Sequence, residues 1–263
     1  MHRCPVDTAR IVAPGPLLLD RQEARHLRTV LRIREGEEVE LFDGQGLTRR
    51  MRVGSLSRDG IVFEPIDPAP VAHPRPACAL TLAACVCKGH RMDWIIEKAV
   101  ELGASRILPV LSGRTVARPN PADFDARNGR WARIARESAR QCASAWTPEI
   151  LPPTPLMDAV AELRKNGAPL FAALLRPGTR PVREALDAMR SEAGTPAAPP
   201  MAGWISGPEG DFTPAEEDAL IAAGATPVSL GPLILRAETA AIYGLCVLGA
   251  EWLRAAGPPE GAA

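Results

Sequence analysis

The chain has 263 residues, 46% of them apolar and 24% charged, and 31 basic side chains balance 31 acidic ones to a formal net charge of zero. That length suits one large globular domain plus a small one, and the balance excludes a general basic coat while leaving room for a local basic patch. Six cysteines without a C-x-x-C pair, four scattered histidines, no apolar leader in Met1–Arg10 and no membrane-length apolar run lead us to expect a cytoplasmic protein with reduced thiols, no metal and no membrane partner.

In chain order, Asp20–Ile33 reads as a helical piece. Glu37–Val53 holds two alternating strands turned at Asp43-Gly44 and Gly46, and Gly60–Pro65 is a third. Residues 1–72 are therefore expected to form a small β-rich domain. Pro65–Ala77 packs prolines densely enough to fix an extended linker that cannot enter a sheet interior.

Beyond the linker the pattern changes. Ala79–Val86 is an apolar strand, and Arg91–Gly103 puts Met92, Ile95, Ile96, Ala99 and Leu102 on one helical face, with Gly103 as the stop. Arg106–Val110 is the next strand. Arg130–Ala143 is a helix with Trp131, Ile134 and Ser138 facing one way and Arg133, Arg136 and Arg140 another. Strands at Pro169–Leu175, Gly203–Ser206 and Thr226–Leu230 are separated by a helix at Pro181–Arg190 and another after Phe212. Such alternation means parallel βαβ units and a sheet covered on both faces, here over residues 77–255. Met189–Gly203 reads as a surface loop and Ala255–Ala263 as a frayed tail.

Two glycine-bearing loops follow strands. In "ISGPEGDFTPAEEDAL", Thr213, Pro214 and Glu216 form a capping box with proline at the first helical position, which leaves Gly207–Gly210 between a strand end and a helix start. Open α/β sheets bind ligands at that edge, where backbone N–H groups are free and glycine admits a close approach. Taken alone, the stretch reads equally well as a tight turn. The second loop, "SLGPLILRAETAAI", repeats the arrangement, with Glu238 and Thr239 in the first turn of a helix that is apolar nearly all round. That helix must be buried in the core or in a subunit interface. Arg236 is its exceptional cation, placed either to pair with Glu238 or Glu209 or to hold an anionic oxygen of a ligand.

Those two loops, with "KGHRMDWIIEKAVELG" and "HLRTVLRIREGEEVELFDGQG", resemble the RsmE family of bacterial 16S ribosomal RNA methyltransferases, which act on N3 of a uridine. The resemblance spans most of the chain. It implies a PUA-like β-barrel that binds RNA, followed by a SPOUT-type α/β parallel sheet with a C-terminal trefoil knot and a homodimeric assembly. The family's target is uridine 1498 of the small ribosomal subunit, giving 3-methyluridine. The resemblance places S-adenosylmethionine against Leu175, Arg176, Gly207, Pro208, Glu209, Gly210, Leu230, Gly231, Leu235, Arg236, Thr239 and Ala240. On chemical grounds Arg236 is the candidate stabiliser of charge on the uracil oxygens, and Glu238 and Glu209 are the candidate bases, with Glu209 reading more as a loop-fixing carboxylate. Lys88 and Arg91 match family positions and, with Arg25 and Arg32 of the N-terminal domain, are the expected RNA contacts; Arg28, Arg49, Arg50 and Arg52 are further candidates by charge. The chain departs from the family pattern at Asp211, where a glycine is usual, at Arg140, where Glu is common, and at Ser144, where Arg is common.

Overall fold

The computed structural model of the protein describes residues 1–29, 31–118, 124–193 and 198–253, so the tail expected at 255–263 lies outside the described residues. The chain divides into two compact units, one of Met1–Arg75 with Arg136–Thr147, the other of Pro76–Ala135 with the chain from Pro148 onward.

The first unit contains β1 (His2–Pro5), α1 (Thr8–Val12), β2 (Leu17–Asp20), α2 (Arg25–Thr29), β3 (Glu38–Phe42), β4 (Leu47–Leu56), β5 (Gly60–Pro65) and β6 (Val71–Ala72). They form one sheet in the order β1-β3-β4-β5-β2, with β6 paired to β4; only β1 and β3 run parallel. Alternation along the strands sends Leu17, Leu19, Val39, Leu41, Met51, Val53, Ile61 and Phe63 into one core. The β3–β4 turn is fixed by Asp43, whose Oδ1 accepts the N–H of Gln45 at 2.7 Å and of Leu47 at 2.9 Å.

The helix expected over Asp20–Ile33 is shorter in the structure. A second capping box starts it: Asp20 Oδ1 accepts from Gln22 and Glu23, and Glu23 Oε2 accepts from the Asp20 N–H at 3.0 Å. Regular α-helix runs only through α2, and Arg32 has left the helical region altogether, at φ +51°. Within the proline-rich linker, the two residues of β6 do join a sheet, as a short edge strand beside β4.

The second unit contains β7 (Ala79–Cys85), α3 (Arg91–Glu101), β8 (Arg106–Leu111), α4 (Phe124–Gln141, whose last turns belong to the first unit), β9 (Glu149–Ile150), β10 (Thr154–Pro155), α5 (Leu156–Leu163), β11 (Leu170–Ala173), β12 (Arg180–Pro181), α6 (Val182–Ala193), β13 (Met201–Ser206), α7 (Pro214–Ala222), β14 (Thr226–Ser229) and α8 (Ala237–Trp252). All its ladders are parallel, in the order β10-β8-β7-β13-β11-β14-β12, with β9 beside β8. The loop expected at Met189–Gly203 is trimmed at both ends, by the last turn of α6 and by β13.

Leu156, Val160 and Leu163 of α5 and Leu220 of α7 share a core with Leu108, Val110 and Ile205 of the sheet. Contacts of α3 and α8 with each other, and of α8 with β7 and β13, bring a second helical pair onto the sheet. The two helices run in parallel: Arg91 at the start of α3 lies beside Glu238 at the start of α8, and Leu102 beside Gly249 near their ends. Both therefore begin at the carboxyl edge of the sheet, where the strand-end loops gather.

Candidate active site

β13, β11 and β14 are neighbours, so the segments that follow them meet at one edge. They enclose a cavity of about 410 Å³. Its wall comprises Ala173–Leu175 after β11, then Gly207, Pro208, Glu209 and Asp211 after β13. The rest comes from Val228–Gly231 and Leu233–Ala237 at and after β14, Glu238 and Ala240 of α8, and Arg91 of α3. Of the twelve residues expected to hold the donor, nine line this cavity. Three do not: Arg176 pairs outward with Asp218, Gly210 packs on the Arg114 side chain, and Thr239 is exposed.

The first loop is held from three sides. Thr213 and Glu216 make the expected capping box. The second Glu216 oxygen accepts the Gly113 N–H at 2.6 Å, and Arg114 donates to the carbonyls of Gly210 at 2.8 Å and Phe212 at 3.0 Å. At the cavity itself, Glu209 Oε1 accepts from the Lys88 N–H at 3.1 Å and from the Arg91 guanidinium at 2.8 Å. Burial opposes ionisation of Glu209, but these bonds and one from its own N–H outweigh it, and the carboxyl stays below the usual carboxylate range.

The glycines are explained partly by the loop and partly by backbone. A Cβ on Gly207 would come within 2.8 Å of Asp211 Oδ1, so the close approach there is made by the chain's own Asp211. Asp211 adopts φ +59°, a left-handed conformation that Asp tolerates better than most residues, and its Oδ1 accepts the Phe212 N–H at 2.8 Å. Burial raises its carboxyl above the ordinary value despite that bond and the nearby Arg114. Gly231 has open space around it and is required by its φ of +114°.

Arg236 is the N-cap residue of α8 and is exposed at the cavity wall. Neither of the carboxylates expected as its partner pairs with it. Arg91 occupies both carboxylates, with Glu238 Oε1 at 3.8 Å, and among the described residues Arg236 has no ion-pair partner. The other Glu238 oxygen, Oε2, is buried without a hydrogen-bond partner among the described residues. An unpaired buried acceptor costs about 1–3 kcal/mol unless a ligand donor reaches it. The apolar wall of Leu175, Leu230, Leu233, Ile234 and Leu235 completes a site that suits a flat apolar group carrying cationic and N–H functions.

Sequence reasoning passed over Leu233 and Ile234, which are 73% and 83% exposed. Their signal was present, since an apolar run inside a loop needs something to cover it. The arginines of β4 need a correction. Arg49 is buried and donates to the carbonyls of Ile11, Ala13, Asp67 and Pro68, at 2.8–3.3 Å. Arg50 is paired with Asp67 at 2.9 Å and Arg52 with Glu38 at 3.5 Å. Arg49 therefore holds the first unit together and is unavailable to RNA. Lys88, Arg25 and Arg32 are exposed, and Arg91 is half-exposed while bound to Glu209.

A family model described as an RNA methyltransferase domain matches residues 73–249, and one described as an RNA methyltransferase PUA domain matches residues 19–66. Ribosomal RNA small subunit methyltransferase E of Mycobacterium bovis is 33% identical over 234 residues, covering 88% of this chain and 85% of that one. Its namesake in Synechocystis is 31% identical, covering 91% and 76%. The crystal structure of ribosomal RNA small subunit methyltransferase E from Neisseria gonorrhoeae, bound to S-adenosyl methionine, aligns with a TM-score of 0.80 at 26% identity, over 96% of this chain and 98% of that one.

Proposed function

The chain belongs to the ribosomal RNA small subunit methyltransferase E family, and from that premise we propose that it methylates N3 of one uridine of 16S ribosomal RNA, uridine 1498, using S-adenosylmethionine. The observation that carries this reading is the cavity at the carboxyl edge of β13, β11 and β14, with its apolar wall and with an arginine and a carboxylate oxygen that have no partner among the described residues.

The donor fits that wall: Leu175, Leu230 and Leu235 would flank the adenine, and the backbone of Gly207–Glu209 and Gly231 would hold its polar edge. When bound, S-adenosylmethionine supplies a methyl group on a sulfonium centre. Arg236 stabilises the negative charge that grows on the uracil oxygens as N3 loses its proton. Glu238 accepts that proton through Oε2. Because N3 lies on the Watson–Crick edge, the target uridine has to be unpaired or flipped from its stack. Glu209 fixes the loop through Arg91 and Lys88 and takes no part in the chemistry.

The same reading assigns a trefoil knot to the C-terminal segment, a cytoplasmic location, and a homodimer built on the second unit. The outward face of α8, with Tyr243 43% exposed and Cys246 also exposed, and Trp94 of α3, 42% exposed, is the surface we assign to the second subunit. Nucleoside mass spectrometry of 16S RNA from a deletion strain, before and after adding purified protein, tests the function. Appearance of 3-methyluridine at one position is expected. A methyl on ribose, on another base, or no transfer at all would refute it.

A further inference from the structure

The arginines of the first unit fall into two groups. Arg3, Arg10, Arg50 and Arg52 each pair with a carboxylate, on Glu40, Glu23, Asp67 and Glu38 respectively. Arg21, Arg25, Arg28 and Arg58 have no ion-pair partner among the described residues, yet all four line one open concavity of about 880 Å³, with Gln22 and Thr29 as the other described residues of its wall. Four guanidinium groups without a carboxylate repel one another, so this arrangement is suited to an anionic ligand with more than one charge.

The concavity is built by the fold. The capping box at Asp20 starts a helical segment in which Arg21, Arg25 and Arg28 follow one another at i, i+4 and i+7, on one face. The acid of that segment is engaged elsewhere, because Glu23 bonds the Asp20 N–H with one oxygen and Arg10 with the other. Arg28 donates to the Ser57 carbonyl, which fixes the β4–β5 turn, and with it Arg58, against α2. Planar guanidinium forks on both sides of a groove match phosphate oxygens.

We propose that this four-arginine cradle between α2 and the β4–β5 turn binds consecutive phosphates of an RNA backbone, independently of base sequence. The proposal rests on the RNA-substrate reading above, and it adds Arg21 and Arg58 to Arg25 and Arg28. Arg32, which follows the end of α2 and is not among the described residues of the lining, takes no part.

The test uses the full chain and a fluorescently labelled RNA hairpin of arbitrary sequence, titrated by anisotropy from about 50 to about 200 mM salt. Each phosphate contact contributes roughly one unit to the slope of log affinity against log salt, so Arg25→Gln/Arg58→Gln should flatten the slope by about two. It should weaken hairpins of different sequence equally. Arg25→Lys/Arg58→Lys should restore the slope, and the charge-matched control Lys165→Gln/Arg183→Gln, at two surface cations of the second unit, should leave it unchanged. Thermal melting of the same samples confirms folding. An unchanged slope in the Gln double variant, or an equal loss in the control, overturns the cradle. S-adenosylmethionine binding, measured on the same proteins by calorimetry, stays at the wild-type level under the cradle proposal. Failure of the wild-type chain itself to bind the donor would strike the methyltransferase reading instead.

Discussion

Arg91 Nη1 donates to Glu209 Oε1 across 2.8 Å, joining the first turn of α3 to a loop 118 residues later in the chain. The same guanidinium lies 3.8 Å from Glu238 at the start of α8. One half-exposed cation thus pairs with both carboxylates at the cavity, and among the described residues Arg236 has no ion-pair partner. If Glu209 serves the loop and not the chemistry, Glu209→Gln should raise the donor dissociation constant by roughly tenfold, the worth of about 1.4 kcal/mol of charge-assisted bonding, and change kcat much less. Calorimetry with steady-state kinetics reads both. A collapse of kcat with normal donor and RNA binding would make Glu209 the base.

Two loop carboxylates predict a pH dependence. Burial opposes the charged forms of Glu209 and Glu216, but Glu209 accepts from Lys88, its own N–H and Arg91, and Glu216 from Thr213 and Gly113, so both are held below their ordinary value of 4.5. A depressed folded pKa means the folded state binds fewer protons than the unfolded one. The stabilisation is therefore fully present above about 4.5 and is lost as pH falls through the lowered folded values. Melting temperature and donor affinity should decline together on acidification over that range, and Glu209→Gln/Glu216→Gln should show a weaker decline. A wild-type profile flat down to pH 3 would refute it.

Asp211 carries the opposite sign. Its carboxyl is raised, chiefly by burial, so the folded state binds the proton more tightly and stability falls as pH rises from the ordinary value of 3.8 through the raised one. Asp211→Asn keeps an acceptor for Phe212 and tolerates the left-handed backbone while removing the buried charge. It should melt higher than the wild type at pH 7 and at the same temperature at pH 3. A lower melting point at pH 7 would show that the charge is needed there.

Much of the second unit was legible because period and punctuation agree: Met92, Ile95, Ile96 and Ala99 are all buried as the helical spacing requires, and the Thr213 box starts α7 where expected, whereas α5 and the two-residue strands β9, β10 and β12 were not expected. Two backbone features were not legible, and one buried side chain was legible but misread. The end of α2 depends on a backbone reversal at Arg32 that no residue type announces. Gly207 looked like room for a ligand, whereas its space is taken by Asp211, four residues on. Arg49 sits on the inward register of β4 with Met51 and Val53, so strict alternation already marked it as buried; charge type overrode period in the reading. Arg49→Ala would leave four carbonyls unsatisfied and a hole in the first unit. A loss of about 3–5 kcal/mol is expected, read by denaturant unfolding. Unaltered stability with weaker RNA binding would return Arg49 to the RNA surface.

Packing on the other face of the sheet from α5 and α7 rests on one glycine. A Cβ on Gly244 would fall 1.8 Å from Cε2 of Trp204, a fully buried indole, so α8 reaches the sheet only because position 244 has no side chain. Gly244→Ala gains helix propensity of about 1 kcal/mol but must displace either the indole or the helix, at a cost of about 1–3 kcal/mol or more. Since α8 begins at Arg236 and Glu238, a displaced helix also moves the two groups assigned to the chemistry. The variant should therefore melt several degrees lower and lose kcat out of proportion to its loss of stability. Trp204→Phe in the same background, by vacating part of the clash, should recover both. Full activity in Gly244→Ala alone would show that the start of α8 is fixed by the loop and not by its seat on Trp204.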